Sequence, residues 1–199
     1  MQYDSIDAAV LSGGKNSRMN GANKAFIELD GKRILDNALE ILGTLFSNTI
    51  IVTNTPEHYS KYQKSSLIIS DIIKDVGPIG GIHAALSSTD KQGVFFMACD
   101  MPNLHNALVR KLADKFIEGG HDAVIARSVK GVEPLFGVYA KSITSRIEEY
   151  VKEGCGYSLK RFLERINTFY LDVDNADVFC NVNTPEDIKR YEDKDKGMV

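Results

Sequence analysis

A glycine-bearing, cationic segment at residues 12–24, SGGKNSRMNGANK, has the chemistry of a phosphate-binding loop. Gly13 and Gly14 let the backbone approach a ligand closely, so that successive N–H groups can point at an anion. Arg18, Lys24 and a further lysine add positive charge that suits a triphosphate. A polar strand-to-helix connection with surface-exposed bases is the alternative, and a glycine pair alone favours it. The three cations and the length of the segment favour phosphate binding.

Two common nucleotide-binding signatures are missing. The pattern G-x-x-x-x-G-K-[ST] is absent, because Gly31-Lys32 is followed by Arg33, and G-x-G-x-x-G does not occur. P-loop hydrolysis and dinucleotide binding are therefore unsupported. No Ser-His-Asp arrangement for acyl transfer is legible, and the four histidines share no metal-ligand spacing.

Asp100 is the candidate metal ligand, because it follows the apolar run Val94 to Ala98 at the expected carboxyl end of a strand. Mg²⁺ usually takes one or two carboxylates together with substrate phosphate oxygens and water. In isolation, Asp100 fits a turn or helix-capping role before Pro102 equally well. Its expected position opposite the cationic segment favours the metal role.

Asn54 and Asp71 also follow predicted strands. Asn54 stands in the turn after the strand at 49–53, and Asp71 closes the run at 67–70. Asp71 could accept hydrogen bonds from a ribose or a base edge. It could equally end its strand through an Asx turn, which is the interpretation that Asp71 alone favours.

Apolar runs of strand length alternate with amphipathic stretches of helical length. This pattern predicts an α/β chain: a single Rossmann-like domain with a mostly parallel central sheet and helices on both faces. In such a sheet, ligands bind outside the carboxyl ends of the strands, where the strand order reverses. If the order is the common 3-2-1-4, residues 12–24 and Asp100 face each other across the crevice.

The individual elements follow from apolar spacing and turn residues. Residues 77–81 are expected to form a loop whose proline can enter the next helix. Thr184, followed by Pro185 and Asp187, predicts the start of a last helix. Strands are predicted at 6–11, 49–53, 67–70, 94–98, 122–126 and 135–139, helices at 34–46 and 105–118, two further helical patches after these, and a short extended segment at 179–183.

Composition limits the class of protein. The chain has 199 residues and a net charge of −3, with acidic and basic residues interspersed. One domain is expected over 1–192, with a frayed tail at 193–199. The small net charge gives no strong overall electrostatic potential that would attract nucleic acid or an anionic membrane. The start lacks a signal-peptide pattern, and no stretch approaches the about 20 apolar residues of a spanning helix. The three cysteines lack a C-x-x-C pair, so we expect a cytoplasmic protein without disulfide or zinc site.

Five motifs, in order, resemble those of molybdenum cofactor guanylyltransferases. LSGGKNSRMNGANKAFIELDGKRIL resembles the family's signature loop and first helix, whose pattern is close to L-A-G-G-x-S-x-R-M-G-x-x-K followed by an apolar stretch and G-x-x-L. GPIGGIHAAL is similar to its G-P-L-x-G loop, and MACDMP to its metal-bearing strand end. EPLFGVY resembles a later strand and NVNTPEDI the carboxyl-terminal element. Together the matches span nearly the whole chain.

The resemblance implies a set of site residues. Asn181 and Asn183 would lie toward molybdopterin, although turn and capping roles fit them equally well. Ser12 stands where alanine is usual, and Asn23 replaces a frequent acidic residue just before the loop lysine. The residues implied to bind GTP are Leu11, Ser12, Gly13, Gly14, Lys24, Asn54, Asp71 and Asp100, with Asp100 also holding Mg²⁺.

The resemblance also implies an activity, the transfer of GMP from GTP to the terminal phosphate of molybdopterin with release of pyrophosphate. Arg18 and Lys24 would offset the triphosphate's charge, and Mg²⁺ on Asp100 would orient both reactants, without a covalent protein intermediate. GTP and molybdopterin are the expected small-molecule partners. Transient contact with molybdopterin-carrying or molybdoenzyme proteins is also expected, but not contact with nucleic acid or a membrane.

Two alternatives remain open. The same chemistry could use CTP, or a sugar phosphate as acceptor. Gly13 favours the guanylyl branch, since cytidylyl and sugar relatives more often carry alanine there. The other alternative is a nucleotide-binding regulatory module without turnover, which would need no Mg²⁺, and Asp100 with its surroundings argues against it.

Overall fold

The computed structural model describes residues 2–13, 24–154, 156–182, 184, 186–189 and 191. Its strands form a seven-stranded sheet flanked by helices, plus a two-stranded hairpin, which confirms the predicted α/β class. The strands are β1 (Ile6–Leu11), β2 (Glu28–Leu29), β3 (Lys32–Arg33), β4 (Thr49–Val52), β5 (Leu67–Ile69), β6 (Gly93–Ala98), β7 (Ala123–Ser128), β8 (Gly131–Ala140) and β9 (Thr168–Val173). The helices are α1 (Ile34–Leu45), α2 (Pro78–Ser88), α3 (Asn106–Ile117), α4 (Thr144–Lys152) and α5 (Leu159–Leu163).

The strand order across the sheet is β5-β4-β1-β6-β8-β7-β9. Strands β5, β4, β1 and β6 run parallel to one another, and these first four major strands have the predicted order 3-2-1-4. Strand β8 runs antiparallel to β6 and β7, whereas β9 is parallel to β7. As a result, β8 begins at the side of the sheet where the carboxyl ends of β1, β4 and β6 lie. This side is called the carboxyl edge, and the side with their amino ends is the amino edge.

Strands β1 and β6 lie at the centre because, apart from Asp7, both are apolar on their two faces. All six residues of each strand are buried, as expected for parallel strands covered by helices on both sides. Phe95 stacks on Phe46 with ring centroids 5.7 Å apart, while Phe96 meets Tyr139 edge-on at 5.5 Å. Since successive strand residues point to opposite faces, packing on both sides fixes the positions of the strand ends.

Helix α2 begins earlier than predicted, so the expected loop at its start is instead its first turn. Gly77 precedes the helix with φ of 70°, a conformation that favours glycine, and Pro78 suits the first helical position. Gly80 and Gly81 lie within the helix, where the absence of side chains lets the helix pack closely against neighbouring residues. A Cβ on Gly80 would lie 2.5 Å from the carbonyl oxygen of Ile73. The loop prediction was wrong because these glycines permit close contact and do not break the helix.

Strand β9 was not predicted, and β8 is longer than expected. Most residues of β9 are half-buried at the sheet edge, so the strand lacks the continuous buried run that marks β1. The first half of β8 pairs with β7 beyond a register shift between Ile125 and Arg127. The segment predicted to be extended at 179–183 follows the helical turn Ala176–Phe179, and its described residues after that turn are irregular.

The carboxyl-terminal helical segment begins as predicted. The Thr184 backbone N–H donates to Asp187 Oδ2 at 2.9 Å, and the Asp187 N–H donates to Thr184 Oγ1 at 3.2 Å. This reciprocal pair is a capping box, and residues 186–189 are helical. The tail predicted at 193–199 lies outside the described residues. Across the described ranges, no helix combines the length and apolar character that crossing a bilayer requires.

Candidate active site

Polar residues follow the carboxyl ends of four neighbouring strands. Leu11, the last residue of β1, pairs with Val52 on one side and Ala98 on the other. The three strands therefore end level with each other. Ser12 and Cys99 continue the ladder, because the Ser12 N–H donates to the Val52 carbonyl at 2.8 Å and the Cys99 N–H donates to the Leu11 carbonyl at 3.1 Å. Side chains that come next along these strands must meet at one edge.

Lys24 and Asp100 meet at this edge. Lys24 Nζ lies 3.4 Å from Asp100 Oδ2, and the two side chains are 24% and 14% exposed. Lys24 begins a short helical turn, Lys24–Phe26, while Asp100 follows β6. Because both groups are half-buried, their attraction is less screened by water than that of a surface pair. The expected juxtaposition of the cationic segment and the carboxylate is present, and the roles of the two side chains stay predictions.

Asn54 and Asp71 form a second polar pair, beyond β4 and β5. Asn54 Nδ2 donates to Asp71 Oδ2 at 2.8 Å, and the Asp71 N–H donates to Asn54 Oδ1 at 3.3 Å. The Asp71 carboxylate thus connects two strand ends through the Asn54 side chain. It also lies over the first turn of α2, where a Cβ built on Gly81 would sit 3.4 Å from Asp71 Oδ1. Such an arrangement leaves carboxylate and amide atoms to bind a polar ligand.

Gly13 is exposed and lies beside this pair. A Cβ built on Gly13 would come within 4.0 Å of Asn54 Nδ2, an ordinary contact distance. Gly13, Asn54 and Asp71 therefore share one corner of the site, while Lys24 and Asp100 occupy another. Gly14, Arg18 and Asn183 lie outside the described residues, so their predicted roles stay predictions.

Ser12 is fixed by a residue that sequence reasoning missed. Its hydroxyl lies 2.5 Å from the hydroxyl of Tyr59, whose side chain is fully buried and packs against Phe26 with ring centroids 5.1 Å apart. Tyr59 belongs to the helical turn Pro56–Tyr62, and no feature of its position in the sequence marks it as a site residue. The serine that replaces the usual alanine therefore has a partner for its hydroxyl inside the scaffold.

The Cys99 thiol sits beneath the same edge. The pKa of this thiol is raised to about 11, because desolvation and the negative charge of Asp100 raise it by more than a hydrogen bond from Ser12 and the charge of Lys24 lower it. A protonated, enclosed thiol behaves as a small apolar group. Cys99 therefore supports the edge and is not a nucleophile.

The carboxyl-terminal element packs onto the Asp100 loop. The Val182 N–H donates to the Asp100 carbonyl oxygen at 2.9 Å, and the Val182 side chain is buried with Leu29 and Ile34. Asn181 is exposed next to this contact. The motif that suggested Asn181 as a site residue therefore lies against the Asp100 loop.

Glu133 is a further residue that sequence reasoning did not single out. It lies near the beginning of β8, on the side of β6 away from Asn54. Desolvation raises the pKa of its carboxyl group, while the nearby charges of Lys160 and Lys130 lower it. Glu133 begins the EPLFGVY motif, which predicts a strand but does not by itself indicate a role for this side chain.

A divalent cation at this site would depend on Asp100. Among the described residues there is no group of three or more His, Cys, Asp or Glu side chains that could hold a metal ion. A carboxylate is nevertheless the donor that hard divalent cations take, and phosphate oxygens and water commonly supply their other ligands. The donor set fits an ion that arrives with a nucleotide.

Comparisons with known proteins agree with this geometry. A family model described as MobA-like NTP transferase domain matches residues 8–169. The molybdenum cofactor guanylyltransferase of Syntrophotalea carbinolica is 34% identical, over 96% of this chain and 92% of its own length. A probable molybdenum cofactor guanylyltransferase of Peptoclostridium acidaminophilum is 36% identical, over 96% of this chain and 93% of its own. The crystal structure of molybdopterin-guanine dinucleotide biosynthesis protein A from Archaeoglobus fulgidus superposes with a TM-score of 0.80 at 30% identity, covering 96% of this chain and 99% of that one.

Proposed function

The chain belongs to the MobA-like NTP transferase family, and we propose that it is a molybdenum cofactor guanylyltransferase, the activity for which its relatives are named. The enzyme would transfer GMP from GTP to the terminal phosphate of molybdopterin, forming molybdopterin guanine dinucleotide and pyrophosphate. The observation that carries this proposal is the approach of Lys24 Nζ to within 3.4 Å of Asp100 Oδ2 at the carboxyl edge of the sheet.

The nucleotide would lie across the ends of β1, β4 and β5. The Asn54–Asp71 pair would bind the ribose or the base edge, since its carboxylate accepts and its amide both donates and accepts hydrogen bonds. Gly13 would let the backbone approach the phosphates. The proposed GTP-binding residues are Leu11, Ser12, Gly13, Gly14, Lys24, Asn54, Asp71 and Asp100.

The proposed reaction is a direct in-line displacement. An oxygen of the molybdopterin phosphate attacks the α-phosphorus of GTP, and the new P–O bond forms as the bond to the β-phosphate oxygen breaks. Pyrophosphate leaves with that electron pair. Lys24 and Arg18 would offset negative charge on the phosphate oxygens as it shifts toward the leaving group. Catalysis would rest on positioning and charge neutralisation, so no protein nucleophile is needed.

We assign Mg²⁺ as the metal, with Asp100 as its protein ligand. When bound, Mg²⁺ would polarise the α-phosphate and orient both reactants. Asp100 is suited to hold it because β6 fixes its backbone and the Val182 N–H binds its carbonyl oxygen, which leaves the carboxylate for the ion and Lys24. Lys24 would then bind phosphate oxygens beside the ion.

The acceptor would lie on the β6 and β8 side of the site. We infer that Asn181 and Asn183 bind molybdopterin, because Val182 between them is hydrogen-bonded to the Asp100 loop. Transient contact with molybdopterin-carrying or molybdoenzyme proteins would deliver the acceptor and remove the product. We further infer a cytoplasmic enzyme, since three cysteines without paired spacing are typical of a reducing compartment.

One experiment tests this function. The purified protein is offered each nucleoside triphosphate in turn with Mg²⁺ and molybdopterin, and pyrophosphate release and dinucleotide formation are followed. We expect turnover with GTP, and we expect Asp100→Asn to abolish it while Asp90→Asn, an exposed carboxylate at the opposite edge of the sheet, keeps it. Turnover with CTP but not GTP would overturn the substrate assignment.

The non-catalytic alternative gives a different result in the same experiment. A nucleotide-binding regulatory module would bind GTP without releasing pyrophosphate, and Asp100→Asn would leave that binding unchanged. A sugar-phosphate nucleotidyltransferase would release pyrophosphate with a sugar phosphate but not with molybdopterin. The pairing of Lys24 with Asp100 favours the enzyme, because a binding module has no need of a metal-binding carboxylate beside its phosphate site.

A further inference from the structure

Glu133 lies at the same sheet edge as Asp100, one strand farther from the nucleotide corner. The last paired position of β6 and β8 is Phe96 with Gly137, and the two strands run antiparallel. Asp100 lies four residues beyond that position along β6, and Glu133 lies four residues before it along β8. The two carboxylates therefore belong to neighbouring strands at the same end of the sheet.

The Glu133 carboxylate is half-buried and has no internal partner within the described part of the chain. No hydrogen bond or ion pair to it is found among the described residues. Lys130 and Lys160 are near enough for their charges to lower its pKa, while desolvation raises it. Helix α5 packs on β8 and carries Lys160. A desolvated carboxylate without a donor is costly unless a ligand supplies one.

A carboxylate of this kind has two parallel acceptor oxygens. It matches planar groups that present two N–H donors side by side. The 2-amino-4-oxo edge of a pteridine ring is such a group, with a ring N–H next to an exocyclic NH₂, and guanine has the same edge. We propose that Glu133 is a specificity-determining residue that accepts paired hydrogen bonds from the 2-amino-4-oxo edge of the acceptor's pterin ring. This inference rests on the proposed function.

The position of Glu133 assigns it to the pterin and not to guanine. Asn54 follows β4, and β1 and β6 lie between β4 and β8. Three strand spacings of about 4.8 Å separate β4 from β8 by about 14 Å. A base bound beside Asn54 and Asp71 cannot reach Glu133, whereas an acceptor that attacks from the β6 side lies next to it. Lys130 and Lys160 add positive charge that suits an acceptor bearing a phosphate.

The test compares two rings that differ at one substituent. Pterin, the 2-amino-4-oxopteridine, and lumazine, its 2,4-dioxo analogue without the amino group, are titrated into the full-length protein by fluorescence. We expect the wild type to prefer pterin by on the order of 10- to 100-fold, because lumazine loses the exocyclic donor to a charged acceptor and turns a carbonyl oxygen toward the carboxylate. Glu133→Gln should lose this preference, because an amide offers one acceptor and places a donor against the second N–H. Glu133→Asp, which keeps the carboxylate, should retain part of it.

Steady-state kinetics supply the second readout. Glu133→Gln should raise the KM for molybdopterin at least tenfold and leave the KM for GTP within twofold, while Glu164→Gln, an exposed carboxylate just after α5, should change neither. A raised KM for GTP alone would assign Glu133 to guanine and overturn the proposal. Equal binding of pterin and lumazine by the wild type, or an unchanged preference in Glu133→Gln, would also overturn it. Since ring binding needs no turnover, this failure is distinct from absent GMP transfer, which would refute the proposed function.

Discussion

The two edges of the central sheet each carry an aspartate of the central strands, and the two carboxylates are used differently. At the amino edge, Asp7 is 4% exposed and accepts hydrogen bonds from Asn48 Nδ2 at 3.0 Å and Thr89 Oγ1 at 2.5 Å. At the carboxyl edge, Asp100 meets Lys24 at 3.4 Å. Asp7 is satisfied by its own fold, whereas among the described residues the Asp100 carboxylate contacts Lys24 alone and keeps capacity for a ligand. A carboxylate's unfilled acceptor capacity distinguishes a binding site from a structural site.

Cavity size does not make this distinction. The amino edge contains a cavity of about 650 Å³, lined by Asp7 and by hydroxyl-bearing residues such as Thr49 and Ser66. Those hydroxyls bond each other, with Thr49 Oγ1 2.8 Å from Ser66 Oγ. Polar groups that satisfy one another leave little for a ligand to gain. The proposed site lies at the other end of these strands, where the Lys24–Asp100 and Asn54–Asp71 pairs are partly exposed and keep polar atoms that a ligand can reach.

Of the substitutions that test this comparison, Asp100→Asn should have the largest effect on activity. We expect GMP transfer to fall by about 10³-fold, because the amide is a poor ligand for a divalent cation, and stability to change by less than about 1 kcal/mol, since a partly exposed pair contributes little. Initial rates and thermal denaturation measure the two effects. Near-normal transfer in this variant would remove the metal assignment.

Lys24→Gln should come next. Loss of one phosphate-binding cation should lower kcat/KM for GTP by about 10²-fold. Lys111→Gln, an exposed cation on α3, is the matched control and should behave as wild type. If both substitutions had the same small effect, Lys24 would be an ordinary surface charge.

Asp7→Ala should have the opposite pattern to Asp100→Asn, with a loss of stability and little change in activity. Removing the acceptor leaves the buried Thr89 hydroxyl without this bond and also removes the bond from the exposed Asn48 amide, so the free energy of unfolding should fall by about 2 kcal/mol. The kcat/KM of the folded protein should stay within twofold. Chemical denaturation and kinetics at a temperature where the variant is folded measure this split, and a large loss of kcat/KM would contradict the structural role of Asp7.

Tyr59→Phe should have the smallest effect. Ser12 loses its hydroxyl partner, so we expect a loss of about 1 kcal/mol in stability and a two- to threefold rise in the KM for GTP. Tyr62→Phe removes a comparable bond, to Asp36 Oδ1 at 2.5 Å, away from the site. It should lower stability without changing the KM. Equal KM values in both variants would show that Tyr59 does not position the loop residue.

The sequence predicted the parallel half of the sheet because its strands are mainly apolar and end in polar turns. The predicted strand order was sufficient to place Lys24 and Asp100 at the same edge of the sheet. Prediction from the sequence failed where tertiary contacts determine the local structure. Position 80 carries a glycine inside a helix because the Ile73 carbonyl leaves no room for a Cβ. Strand β9 is an edge strand whose residues are mostly half-buried. Neither feature has a local pattern.

The same limit applied to the site. Asn54, Asp71 and Asp100 could be selected because they follow recognisable strands. Tyr59 could not, because its role depends on where the turn at 56–62 packs against Ser12, a contact 47 residues distant in the chain. Glu133 stood inside a matched motif, but its half-burial and its lack of a donor within the described ranges are properties of the folded sheet.

The central claim is that Lys24 and Asp100 serve one bound nucleotide and its metal ion. Calorimetric titration of GTP into wild-type and Asp100→Asn protein, each with MgCl₂ and with EDTA, tests it most directly. We predict that Mg²⁺ tightens GTP binding at least tenfold in the wild type and has little effect in the variant, while both proteins bind free GTP alike. An equal gain from Mg²⁺ in both proteins would contradict the account, because the ion would then bind without Asp100.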